Sequence, residues 1–461
     1  MYWKLDEQLG LRSWLDMPRA LLRASNGEVF EVSESDFALL KCCDGITPMP
    51  DGERLRALEA RGWIARKEDP NPISDIQRLK AYEVVQFSSA NIAVTGRCNY
   101  NCRHCFMAKD SGASRREFSL EQLESLLDDC VRCGIGRISI TGGEPYLRSD
   151  WARLLRAIAA RGLTLSNITT NGSLISDESL ALMKELGQQP LMRVSFDGIG
   201  WHDWMRGVPG AERVAIDAIH RLREAGFPVL AQMCVHSDNI FSMRETAELL
   251  AGLGVNALRI MRTGESPRWR ERSEGKALSF EAYYDAGLEF LRWYVASGLR
   301  MDVDVWSFAH YSPATGRFHC LPVRCPTGEY EPETPLCADT RRELFIGYDG
   351  EMSPCNQISG KFGAMGISLG NVLDAGLEPL LRDSRYLDYA RLPVRALTSA
   401  SDECRACEYL RHCLGGCRAM ALLMTDDYLS PDRMSCVFFK KGYWKKLYDT
   451  IKDNRPGCVM T

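Results

Sequence analysis

Between residues 88 and 265, short apolar runs alternate with longer stretches in which apolar residues recur every three or four positions. The runs 91–94, 137–140, 164–168, 192–196, 229–235 and 257–261 have the length of buried strands, while 120–133, 151–160 and 214–225 each carry one apolar face at helical period. Strand and helix in alternation is the pattern of a parallel sheet with crossover helices. At roughly 30 residues per strand–helix unit the stretch holds about six units, short of the eight that close a barrel. The expected fold is α/β, a partial (β/α)6 barrel of the TIM type, over residues 88–265.

The flanks are patterned differently. Apolar runs at 20–24 and 29–32 flank Asn26-Gly27, a hairpin signal, and two helical patterns follow. The first, 35–43, ends at Asp44-Gly45; the second, 53–61, ends at Gly62 and leads into a short apolar segment at 63–65. A strand pair followed by helices predicts a winged-helix domain over residues 1–75, with Asp69-Pro70-Asn71-Pro72 as linker. Residues 266–336 read as a bridging region around an aromatic-rich helix at 280–297. Residues 337–461 are loop-rich, with Gly347, Gly350, Gly360, Gly363, Gly366 and Gly370 close together, as expected where backbone wraps around inserted metal.

Composition narrows the function. In 461 residues, 57 Lys and Arg face 61 Asp and Glu, so no phosphate-tracking basic surface is implied and nucleic acid is not expected as a partner. Lys4, Asp6 and Glu7 interrupt any signal-like apolar start, and no run of about 18 uncharged apolar residues follows, so the expected protein is cytoplasmic with no membrane partner. Eighteen cysteines without a secretory signal are metal ligands, catalysts or core residues, not a disulfide framework. Cys42, Cys43, Cys130, Cys133 and Cys234 sit in apolar patterns and are expected in the core. Cys458-Val-Met-Thr461 has the outline of a prenylation box, but no polybasic run accompanies it.

Immediately after the first predicted strand comes Cys98-Asn-Tyr-Asn-Cys102-Arg-His-Cys105. Three thiolates this close can converge on one cubane iron-sulfur cluster and leave its fourth iron open to a small chelating molecule. The competing readings are a zinc site completed by His104, which needs four well-placed ligands, and three unrelated thiols. The loop resembles the defining motif of the radical S-adenosylmethionine (SAM) enzymes. That resemblance implies that the amino and carboxylate groups of SAM bind the open iron, and that one electron cleaves SAM to methionine and a 5'-deoxyadenosyl radical. Thr141-Gly142-Gly143-Glu144-Pro145, after the second strand, is similar to the family's GGEP motif, and implies that Gly142, Gly143 and Glu144 hold the SAM ammonium. By the same resemblance Thr170 and Asn171 after the third strand, and Ser195 and Asp197 after the fourth, contact the ribose and methionine carboxylate. His202-Asp203-x-x-Arg206-Gly207 matches a stretch common in similar enzymes and is read as structural.

Toward the C-terminus the spacing is Cys337-x12-Gly350-x4-Cys355, then Cys404-x2-Cys407-x5-Cys413-x3-Cys417, then Cys436. These seven cysteines resemble the SPASM domain of radical SAM enzymes that modify peptides and proteins. The resemblance implies two auxiliary 4Fe-4S clusters, three clusters in all. Cys404, Cys407, Cys413 and Cys436 would hold one, and Cys337, Cys355 and Cys417 the other; the family's fourth ligand lies a few residues before Cys337, where this sequence has no cysteine, and of Cys325 and Cys320 farther upstream Cys325 is favoured. A pair of zinc knuckles is the bland alternative.

Residues 32–66 resemble the winged-helix element that recognises leader peptides in ribosomal peptide pathways, which would add an extended peptide to a sheet edge. Together the resemblances imply a maturase that abstracts hydrogen from a precursor peptide and installs a thioether or carbon–carbon crosslink, with a flavodoxin- or ferredoxin-like electron donor. Two alternatives stand beside it: a formylglycine-generating sulfatase maturase, and a non-catalytic iron-sulfur sensor or carrier with a DNA-binding winged helix. The sequence assigns no acid–base residue.

Overall fold

Residues 1–107 and 117–454 are described by a computed structural model of the chain. Its first strands pair into two small sheets: β1 (Tyr2–Leu5), β2 (Leu9–Ser13), β3 (Ala20–Arg23), β4 (Glu28–Glu31), β5 (Asp44–Pro48), β6 (Ile64–Lys67) and β7 (Lys80–Ala81). One sheet has the order β5-β1-β6 and the other β4-β3-β2-β7. With α1 (Glu34–Cys42) and α2 (Glu53–Ala60) they enclose a core of their own around Trp3, Leu11, Leu21, Phe37, Leu40 and Leu58. The predicted hairpin is β3–β4. Beyond the prediction, β5 occupies the stretch after Asp44, and β1 and β2 precede the hairpin. Those two strands escape a hydrophobic pattern because each buries a charge: Lys4 reaches Asn71 Oδ1 at 2.7 Å, and Arg12 donates to the carbonyls of Leu11, Ile76 and Arg78. Cys43 is buried as expected, whereas Cys42 is exposed on the outer face of α1, a correction to its reading as a core thiol.

The predicted barrel strands are β8 (Ser89–Ala93), β9 (Arg137–Thr141), β10 (Thr164–Thr170), β11 (Leu191–Ser195), β12 (Val229–Val235) and β13 (Ala257–Arg262). They pair in sequence order, all parallel. Helices α3 (Leu120–Arg132), α4 (Trp151–Ala160), α5 (Asp177–Glu185), α6 (His202–Arg206), α7 (Ala211–Glu224) and α8 (Met243–Gly252) lie in the connections. The start of α3 shows why: Ser119 and Gln122 form a reciprocal capping box, and Leu123, Leu126, Leu127 and Cys130 give it one buried face.

The sheet is wider than six strands. After α9 (Pro267–Arg272) and α10 (Phe280–Ser297), β14 (Asp302–Val305) adds in parallel to β13, and the hairpin β15 (Ala309–Ser312) and β16 (Arg317–Cys320) continues that edge. At the other edge β17 (Glu343–Ile346) adds in parallel to β8, followed by β18 (Met352–Ser353). The bridging and C-terminal regions therefore build both margins of the barrel sheet. Both added strands carry acids that interrupt an apolar run, and both acids have distant partners. Asp304 lies 2.7 Å from Arg259, and Glu343 accepts from Ser139 at 3.2 Å and Asn91 at 3.3 Å while facing the buried guanidinium of Arg193.

The C-terminal helices are tied in by α10. The Tyr284 hydroxyl donates to the Met434 carbonyl, and its ring lies against Phe308, Phe438 and Tyr443. The N-terminal unit rests on the barrel through Trp14, whose indole donates to the Cys133 carbonyl at 3.1 Å and stacks on Tyr82. No helix among the described residues is long and apolar enough to cross a membrane. Cys458 lies outside the described residues.

Replacing Glu343 by Ala strips Ser139 and Asn91 of their acceptor and leaves Arg193 without its facing anion. The expected cost is about 1–3 kcal/mol of stability, read as a lower urea midpoint; an unchanged midpoint would show that solvent already satisfies this layer.

Candidate active site

The loop carrying Cys98, Cys102 and Cys105 leaves the C-terminal end of β8, the end of a barrel where active sites gather. It is held from three sides. The turn after β9 fits beneath it: Gly143 N–H donates to the Thr95 carbonyl at 2.7 Å and Glu144 N–H to the Arg97 carbonyl at 2.8 Å. A Cβ on Gly143 would sit 2.0 Å from the Arg97 carbonyl oxygen, and one on Gly142, whose φ is +144°, 2.4 Å from that of Thr95, so both positions require glycine. From β10, Asn171 Nδ2 donates to Asn99 Oδ1 at 2.9 Å. From α6, the carbonyls of Met205 and Trp204 accept from Arg103, whose guanidinium also lies 4.4 Å above the Trp204 ring.

Glu144 is fully buried, accepting from Thr170 Oγ1 and Asn171 N at 2.8 Å each. Burial pushes its carboxyl up to about 7 against those two donors. The structure thus brings Gly142, Gly143, Glu144, Thr170 and Asn171 into one network under the cysteine loop. Ser195 ends β11 and is partly exposed. Asp197 follows two residues later. It is completely enclosed, with Arg206 Nε 2.6 Å from Oδ2 and the Cys234 amide donating to Oδ1 at 3.0 Å, so protein groups already surround the carboxylate.

The three loop thiols are neighbours: burial first, then the charge of Cys102 and, more weakly, of Cys98 raise the Cys105 thiol. Cys102 Sγ also accepts from Arg206 Nη1 at 3.7 Å. A lone zinc would draw its sulfurs to about 2.3 Å from one ion. Among the described residues the group whose donor atoms close to within 4.8 Å of one another is instead His104, Asp197 and Cys234. His104, the zinc reading's fourth ligand, turns into that buried group, where desolvation and then the Arg206 charge lower its imidazole to about 4. Adjacent but more widely spread thiols, with a cationic donor on one of them, fit an iron-sulfur cluster. Cys234, read as a core thiol, belongs to this surround; its position at the end of β12, level with the other strand-end motifs, was the available signal.

In the C-terminal region, Cys404, Cys407, Cys413 and Cys436 line one cavity together with Asp432 and Lys440. Cys337, Cys355 and Cys417 form a second group: burial, then the neighbouring thiols, raise the Cys355 thiol, and burial pushes Cys417 up to about 11. The Arg324 guanidinium faces Cys337, Cys417 and Cys413 and so lies between the two sets. Its neighbour Cys325 packs with Cys404 and Leu336 in a small apolar cluster, its thiol 3.1 Å from the Glu329 carbonyl. Cys320 is buried and lines a separate cavity of about 610 Å³ with Tyr409, Phe439 and Trp444.

A family model of the radical SAM superfamily matches residues 92–285, and one of the iron-sulfur cluster-binding SPASM domain matches 337–408. The chain is a radical SAM enzyme with a SPASM domain. In sequence the chain is similar to the AdoMet-dependent heme synthase of Methanosarcina barkeri strain Fusaro, 26% identical over 352 residues, 75% of this chain and 95% of that protein. It is also similar to the sporulation killing factor maturation protein SkfB of Bacillus subtilis strain 168, 24% identical over 302 residues, 65% of this chain and 66% of that one. In structure the chain shares the fold of Streptococcus suis SuiB, solved with its precursor peptide SuiA, with a TM-score of 0.67 and 14% identity, covering 94% of this chain and 99% of SuiB. With 94% of the chain covered, most of the N-terminal unit lies within the shared fold.

Gly143→Ala should force the turn after β9 away from Arg97 and disorder the radical SAM loop. The expected result is loss of about four irons per chain with the SPASM irons retained, measured by iron quantification after anaerobic reconstitution. Full retention of iron would show that the close approach is dispensable.

Proposed function

We propose that this enzyme modifies a ribosomally made precursor peptide, installing a thioether or carbon–carbon crosslink, and that residues 1–75 form a winged-helix unit that recognises the leader of that peptide. The observation that carries the reading is the N-terminal unit itself: it has its own core and exposed sheet edges and sits on a barrel whose SuiB-like fold spans nearly the whole chain. An extended leader would add to such an edge through main-chain hydrogen bonds and place the peptide's core at the mouth of the barrel. SkfB, a maturation protein by name, supports a peptide substrate.

When bound, SAM and three 4Fe-4S clusters would supply a hydrogen-abstracting radical and a sink for the second electron of the crosslinking oxidation. The chain's own residues do the rest. Cys98, Cys102 and Cys105 hold the first cluster and leave one iron for SAM. Gly142 and Gly143 keep the turn close enough to reach the SAM ammonium, while Glu144 ties that turn to Thr170 and Asn171. Ser195, at the open end of β11, is the proposed contact to the methionine carboxylate or ribose, and Asp197 acts through Arg206. Cys404, Cys407, Cys413 and Cys436 hold one auxiliary cluster, and Cys337, Cys355 and Cys417 the other, with Cys325 as its proposed fourth ligand. A flavodoxin- or ferredoxin-like protein of the cytoplasm delivers the electron.

A second reading, action on a tetrapyrrole, is favoured by the similarity to heme synthases over most of their length. Deleting residues 1–75 separates the two: a peptide maturase should lose modification of leader-bearing peptide by 10-fold or more while still cleaving SAM under dithionite. An undiminished product, scored by mass spectrometry of the peptide, would remove the leader-binding role. Replacing Cys98, Cys102 and Cys105 together by Ala should lower iron from about twelve to about eight per chain and abolish 5'-deoxyadenosine formation. Zinc in place of iron, or undiminished cleavage, would overturn the assignment of the loop.

A further inference from the structure

Helix α6 does two separable jobs beside the radical SAM loop. Its backbone staples the loop: the Arg206 carbonyl accepts from Asn101 N–H at 3.3 Å, the Met205 carbonyl from Arg103 N–H at 2.9 Å, and Gly207, at φ +66°, allows the Asn101 carbonyl to approach its Cα. None of these contacts uses the Arg206 side chain. That side chain is nonetheless buried, only 7% of the residue being exposed, with Nη1 3.7 Å from Cys102 Sγ and Nε 2.6 Å from Asp197 Oδ2.

The surroundings of this pair leave the guanidinium as the positive charge that matters. His202 lies beside Asp197, its Nδ1 accepting the Asp197 N–H at 2.9 Å and standing 3.3 Å from Oδ2, and burial lowers its imidazole below the usual histidine range. His104, with a ring nitrogen within 4.8 Å of the Asp197 carboxylate, has its imidazole lowered to about 4 by desolvation, and Asn239 and the Cys234 amide add neutral donors to the Asp197 carbonyl and Oδ1 respectively. A buried cation hydrogen-bonded to a ligand thiolate favours the more negative, reduced form of whatever that thiolate ligates, and it does so more strongly in a site screened from water. Asp197 opposes this by drawing the charge to itself.

We propose that Arg206 is a positioning residue that raises the reduction potential of the cluster held by Cys98, Cys102 and Cys105, and that Asp197 sets how much of its charge reaches Cys102. The proposal rests on the reading of that loop as a cluster site. The couple is a one-electron reduction supplied by dithionite; no bond forms or breaks, and Arg206 keeps its proton throughout.

The test is potentiometric EPR on the reconstituted full-length protein, following the reduced signal that changes on adding SAM, with iron counted in each sample. Arg206→Gln should move the midpoint to a more negative value and Asp197→Asn to a more positive one, both with wild-type iron content. Opposite shifts of these signs support the proposal. Absent shifts, or shifts of one sign, in variants that keep their iron overturn it, as does loss of this iron in both variants, which would make the pair purely structural. If one variant alone loses the iron, the sign of the other decides. A wild-type protein with no SAM-responsive signal would instead overturn the cluster reading of the loop itself.

Discussion

A loop of eight residues from Cys98 to Cys105 cannot hold three thiols in place with its own hydrogen bonds, and the molecule is arranged around that deficit. The missing constraints come from neighbouring strand ends and from α6. The turn after β9 fits only because two consecutive glycines let backbone meet backbone, Asn171 reaches across from β10, and α6 supplies carbonyls to the loop's amides. Each support is anchored in an element whose own position is fixed by the parallel sheet, so the rigidity of the sheet passes to the thiols. Preorganisation of this kind places ligands before the metal arrives and lowers the cost of ordering them.

The same logic explains why the C-terminal region cannot be a detachable module. Its strand β17 completes the sheet beside β8, the strand that launches the cysteine loop, and the two share the Glu343 network with β9. Leu377 N–H further binds Asp129 of α3 at 3.0 Å. Through these contacts the two cysteine groups of the SPASM domain are carried on the same framework as the radical SAM loop. Arg324, lying between those groups, repeats in the C-terminal region the theme of a guanidinium set among thiols.

Much of this was legible along the chain. The alternation of strand and helix, the hairpin at Asn26-Gly27 and the three groups of cysteines are local patterns, since a strand or a ligand loop advertises itself within about ten residues. Four of the strands that escaped, β1, β2, β14 and β17, share one feature: each contains a charged residue in a position that a hydrophobic pattern expects to be apolar. Lys4, Arg12, Asp304 and Glu343 are tolerated there because Asn71, the carbonyls of Ile76 and Arg78, Arg259, and Ser139 with Asn91 meet them. No local rule can supply a partner 45 to 252 residues away.

The site divides along the same line. Sequence by itself carried the motifs, because the spacing of thiols and glycines is covalent and local, and their resemblance to the radical SAM and SPASM patterns pointed to the chemistry. Tertiary structure decided what acts on that chemistry. It enclosed Asp197 between Arg206 and the Cys234 amide, turned His104 toward Asp197 and Cys234, and brought Arg206 within reach of Cys102 from 104 residues along the chain. The physical reason is the range of the forces involved: ligand geometry is set by covalent spacing over a few residues, whereas the electrostatic environment of a thiolate depends on every charge that the fold carries into its neighbourhood.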